Sequence, residues 1–133
     1  MSPEHAVVPC LALELPARPE SVREVRRRVR EFAAEHGAAG GVLAAIELAA
    51  SEAASNAVVH AYGGQAGTLR VEADVEGGEF ELVVADDGCG FTGLPSPGLG
   101  LGLAFVRWSA CAFEVRDRPL GGVEVWARFT LSG

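Results

Sequence analysis

Apolar residues recur along the chain with two different periods, and each change of period marks a change of element. Residues 7 to 15 are strand-like and end at Pro16. In the next stretch, RPESVREVRRRVREFAAEHGAAGG, Val22, Val25, Val29 and Phe32 recur at helical spacing. This predicts a helix that begins near Pro19 or Ser21 and stops at Gly37. A second helix is predicted from about Gly41 to Tyr62, closed by Gly63 and Gly64, with Ile46, Ala49, Ala50, Ala53, Ala57 and Val58 on its burying side. TLRVEADV and EFELVVAD then alternate apolar and polar on either side of EGG, the turn chemistry of an antiparallel hairpin. DDGCGFTGLPSPGLGLG is a glycine- and proline-rich loop, LAFVRWSA predicts a third helix, and FEVRDRPLGGVEVWARFTL reads as a second hairpin turning at Pro119 to Gly122. The order of elements suggests an α+β fold with helices packed on one face of a largely antiparallel sheet.

Composition narrows this reading. A chain of 133 residues, 49% of them hydrophobic, suits a single domain over residues 1–133. Its apolar runs fall well short of the roughly 20 residues that a membrane span needs. The amino-terminal MSPEHAVVPCLALELPARPE lacks a basic segment ahead of an apolar one and does not read as a signal peptide, so a cytoplasmic address is expected. Cys10, Cys89 and Cys111 have spacings that fit no metal site, and small-apolar packing is the favoured reading of all three. A net charge of −7 argues against a nucleic-acid partner. The local exception is Arg23, Arg26, Arg27, Arg28 and Arg30, most of which fall beside the apolar face of the first helix. All 11 basic residues are arginine, and the missing lysine excludes P-loop and Schiff-base chemistry.

Three segments could carry chemistry. In SEAASNAVVHAYGG, Glu52, Asn56 and His60 are spaced by four, so on a helix they form one polar stripe. The stripe is open to two readings, a solvated helix face or a site. In ADDGCGF, Asp86 ends a strand, where a buried carboxylate could accept a hydrogen bond from an exocyclic amine, and Gly88 and Gly90 allow a sharp bend or the close approach of a ligand. Gly88, Gly90 and Gly93 also spell the dinucleotide fingerprint G-x-G-x-x-G, but Pro95 and Pro97 break the helix that such a motif must open, and no βαβ unit surrounds it. In GLGLGL, Gly98, Gly100 and Gly102 precede an apolar helical stretch, leaving free backbone N–H groups at a helix start where phosphate could sit.

Taken in order, these segments resemble the GHKL, or Bergerat-fold, ATP-binding domain. SEAASNAVVHAY is similar to its N box, DDGCGF to its first glycine box and GLGLGL to its second. The wording NAVVHAY, with Val59 where histidine kinases usually have a basic residue, is most similar to the bacterial anti-sigma-factor serine/threonine kinases. The resemblance implies a two-layer α/β sandwich with helices on one face of a mixed, largely antiparallel sheet. It implies ATP and Mg²⁺ as cofactors, with Asn56 as magnesium ligand and Glu52 as the group that orients or deprotonates the attacking hydroxyl. Asp86 would accept from the adenine amine, Gly88 and Gly90 would pass close to the base, and Gly98, Gly100 and Gly102 would meet the phosphates. His60 is expected to support the helix rather than to react.

The implied function is an ATP-dependent regulatory kinase that binds a sigma factor and phosphorylates a serine on the anti-sigma-factor antagonist. A homodimer is compatible with this, and neither nucleic acid nor membrane is an expected partner. Two departures point to an alternative, a non-catalytic nucleotide-dependent module that sequesters a partner. The loop FTGLPSP between Gly90 and Gly98 is short, and LGGVEV lacks the hydroxyl of the family's usual glycine-threonine pair.

Overall fold

The computed structural model describes residues 10–58, 67–86, 110–117 and 122–131. In chain order these form β1 (Cys10–Pro16), α1 (Pro19–Glu35), α2 (Gly40–Asn56), β2 (Thr68–Glu76), β3 (Glu79–Asp86), β4 (Ala112–Asp117) and β5 (Val123–Thr130). The strands make one sheet in the order β1-β2-β3-β5-β4, and all four ladders are antiparallel. Both helices lie on one face, so the expected α+β two-layer architecture is the one observed. The predicted third helix, 103–110, and the turn of the second hairpin lie wholly or mainly outside the described residues.

Local chemistry explains where α1 begins and ends. Pro19 occupies its first turn, where a missing N–H costs nothing, and Glu20 adds a negative charge near the positive end of the helix dipole. At the other end the Ala38 N–H donates to the Ala33 carbonyl at 2.9 Å and the Gly37 N–H to Ala34 at 3.3 Å. This is the Schellman arrangement, and it needs a residue at positive φ between helix and loop; Gly37 supplies it at 106°. The predicted stop is therefore a specific set of satisfied carbonyls.

The hairpin of β2 and β3 turns at Gly77 and Gly78, with Glu76 paired to Glu79, as the EGG turn predicts. The two-residue period sends Leu69, Val71 and Ala73 of β2, Phe80, Leu82 and Val84 of β3, and Val125, Ala127 and Phe129 of β5 to the covered face. There they meet Val25, Val29 and Phe32 of α1 and a wide buried strip of α2: Ala45, Ile46, Ala49, Ala50, Ala53 and Ala54. Burying each of the larger side chains contributes ~1.5–3 kcal/mol. Ala57 is also buried, whereas Val58 is half-buried against Ala17.

The opposite face of the sheet carries no described helix. Register places Glu14, Arg70, Ala85, Glu124 and Arg116 in one row across it. Ion pairs run between these strands, with Arg70 at 3.2 Å from Glu14 and Arg116 at 3.2 Å from Glu124. Arg128 stands 5.0 Å over the Trp126 ring on the same face. The packing expected of the cysteines is not found at two of them. Cys10 and Cys111 are exposed free thiols, since each falls at a sheet edge that no helix covers; Cys89 lies outside the described residues.

Candidate functional site

Glu52 and Asn56 occupy the last two turns of α2, four residues apart and both half-buried. The predicted stripe therefore exists over its first two members, while His60 lies outside the described residues. The helix widens to a π-type turn at Ala57 and Val58, and the Ala57 N–H is shared between the Ala53 and Ala54 carbonyls. Such widenings are frequent at functional sites. The Asn56 side-chain nitrogen is buried and has no hydrogen-bond partner. An amide left in this state costs about 1–3 kcal/mol, which a suitable acceptor recovers. A phosphate oxygen is such an acceptor, and half a turn of the amide would offer a neutral oxygen to a hard cation instead.

Asp86 ends β3 on the covered face, because the alternation that buries Phe80, Leu82 and Val84 continues to it. It is 4% exposed, a carboxylate at the margin of an apolar core. Its Oδ1 accepts from the Val123 N–H at 3.3 Å. The neighbouring Gly122 has φ 96°, and a β-carbon there would overlap the Asp86 carbonyl oxygen and come within 3.1 Å of Oδ1. Sequence reasoning alone places Gly122 in a hairpin turn and notes the absent hydroxyl in LGGVEV, but misses the contact with Asp86. The signal that could have found it is a double glycine placed immediately before a strand.

The structure thus places the candidate residues in two groups, Glu52 with Asn56 and Asp86 with Gly122 and Val123. They sit on elements in contact, since α2 packs on both β3 and β5. Gly88, Gly90, Gly98, Gly100 and Gly102 lie outside the described residues. Among the described residues no three His, Cys, Asp or Glu side chains gather to hold a metal.

The arginine face of α1 is largely neutralised within the chain. Arg27 pairs with Glu24 at 2.8 Å and with Glu31 at 3.4 Å, Arg28 with Glu24 at 3.6 Å, and Arg30 with Glu47 at 3.3 Å. The hydrogen bond from Arg27 holds the Glu24 carboxyl below the ordinary carboxylate range. Among the described residues Arg23 makes no ion pair and projects into solvent. No helix of the described residues is long and apolar enough to cross a membrane.

Residues 15–129 match the sequence profile of the histidine kinase-like ATPase domain. The chain belongs to that family, and the GHKL resemblance carried by its three ordered motifs is borne out. No curated protein matches the chain significantly. Among solved structures it is similar to the crystal structure of the RsbU and RsbW domains of Rv1364c from Mycobacterium tuberculosis. The TM-score is 0.76 and the identity 30%, over 94% of this chain and 33% of that one. The chain thus spans about a third of the length of the structure it matches.

Proposed function

We propose that the chain is an ATP-binding regulatory kinase of the anti-sigma-factor type, which transfers the γ-phosphoryl group to a serine of a partner protein. The observation that carries this reading is the buried, unpartnered amide of Asn56 one turn beyond Glu52. In a family of ATPase domains, a polar group lacking an acceptor on the helix that bears the N box supports a nucleotide-phosphate site there. The likeness to a structure containing an RsbW domain supports partners of the Rsb type, and the resemblance of NAVVHAY to the anti-sigma-factor kinases makes a sigma factor and an anti-sigma-factor antagonist the partners proposed.

Bound Mg·ATP would supply the phosphoryl group and offset the charge on its oxygens. Asn56 would hold the metal through its amide oxygen. Glu52 would accept the hydrogen bond of the incoming serine hydroxyl and take its proton at a carboxylate oxygen as that oxygen bonds to the γ-phosphorus and the bond from phosphorus to the departing ADP breaks. Asp86 would accept from the exocyclic amine of the base, and the backbone N–H groups of the Gly98, Gly100 and Gly102 segment would meet the phosphates. Incubation with labelled ATP and the cognate antagonist should label a serine, and Glu52→Ala should slow labelling by about 10²–10⁴-fold. Unchanged transfer by that variant would remove Glu52 as the base. Tight Mg·ATP binding with no transfer to any partner would favour the sequestering module, the reading to which the short FTGLPSP loop lends weight.

A further inference from the structure

The ladder between β3 and β5 ends at the pair Ala85 and Glu124. One step further on, the Val123 N–H turns away from the backbone of β3 and donates to the Asp86 side chain instead. A carboxylate only 4% exposed requires donors, because burying an unpaired charge is among the costliest changes a core can undergo. This donor belongs to the main chain, so it is independent of the side chain at position 123. The Val123 side chain can accordingly be apolar and buried.

Main chain can approach a side chain this closely only if the preceding residue gives way. Gly122 does so on two counts, its positive φ and the space that a β-carbon would take from the Asp86 carbonyl. The first count strains any L side chain, and the second displaces the start of β5 from Asp86 altogether.

We infer that Gly122 is a positioning residue for base recognition. It seats the start of β5 against Asp86 so that the Val123 N–H fixes the carboxylate, and the fixed carboxylate selects a purine bearing an exocyclic amine over one bearing a carbonyl at that position. The inference rests on the reading of Asp86 as the acceptor for adenine. A carboxylate held in one orientation accepts from an amine and repels a carbonyl oxygen, whereas a loosened one can swing aside and tolerate both.

The test measures affinity for ADP, GDP and inorganic tripolyphosphate, each with magnesium, in the full chain and in Gly122→Ala, Asp86→Asn and the double variant. The wild type should prefer ADP to GDP by more than about tenfold, and Gly122→Ala should erase most of that ratio while changing tripolyphosphate affinity less than about threefold. In the Asp86→Asn background the glycine substitution should add nothing to the ratio. A folded Gly122→Ala variant that keeps the preference, or loses affinity for all three ligands equally, would overturn the positioning role while leaving Asp86 in place. Retention of the preference by Asp86→Asn would instead overturn the adenine reading itself, and this inference with it. If Gly122→Ala does not fold, the wild-type Val123 amide resonance decides. It should move on adding ADP and stay in place with tripolyphosphate, and equal responses to both would overturn the proposal.

Discussion

Asp86 and Asp74 stand in adjacent strands of the same sheet but on opposite faces, and the surroundings of the two could hardly differ more. Asp74 sits on the uncovered face near Glu72, Glu76 and Glu81. Partial burial raises its carboxyl above the ordinary value of 3.8, and the charges of Glu81, Glu76 and Glu72 push it further in the same direction. Arg128 on that face pairs with Glu79 at 3.7 Å and with Glu81 at 3.6 Å, and solvent there screens the remaining crowding. Asp86 has no such recourse. It continues the row of Phe80, Leu82 and Val84, and its charge is met by a main-chain donor and a glycine shaped to its outline. A surplus of acid on the open face is therefore a matter of composition, whereas one acid on the covered face needs dedicated neighbours.

Four substitutions bear on that contrast. Leu82→Ala, on the covered face, should destabilise the domain by about 2–5 kcal/mol in urea unfolding, while Glu81→Ala next to it on the open face should change stability by less than about 0.5 kcal/mol. Similar losses from both would mean that the two faces are not distinct. Asp86→Asn is nearly isosteric and keeps an acceptor for the Val123 N–H. It should cost about 10- to 100-fold in ADP affinity by calorimetry with little change in melting temperature; a large melting shift with unchanged affinity would make Asp86 a purely structural acid. The smallest effect belongs to Asp74→Asn. Because the folded-state pKa of Asp74 is raised, its favourable contribution is full below the unfolded value of 3.8 and is lost as pH rises through the folded value. The variant should therefore melt slightly higher than wild type at about pH 7, and the gain should vanish towards about pH 3. A gain independent of pH would assign the effect to something other than charge.

Much of this arrangement is legible in the sequence because it comes from period. The spacing of Val25, Val29 and Phe32 locates α1, the EGG turn sets the hairpin register, and the alternation along EFELVVAD delivers Asp86 to the covered side. The ordered N box and glycine boxes are specific enough to give the family. Residues whose role depends on a neighbour distant in the chain are not legible. Gly122 meets Asp86 across 36 positions, and no periodicity announces such a contact. The arginine face shows the same limit, since Glu47, which pairs with Arg30, belongs to a different helix. The packing expected of Cys10 and Cys111 fails because residue type alone does not reveal a sheet edge.

Those edges have a practical use. Cys10 on β1 aligns through Asp74, Glu81 and Arg128 with Ala112 on β4, and Cys111 is the residue just before it. Two native thiols thus mark opposite margins of the sheet, four strand spacings or about 19 Å apart. With Cys89 replaced by serine, a pair of spin labels at these positions would form an internal ruler. It could report whether the sheet keeps its width when nucleotide is added, with no foreign attachment point introduced into the fold.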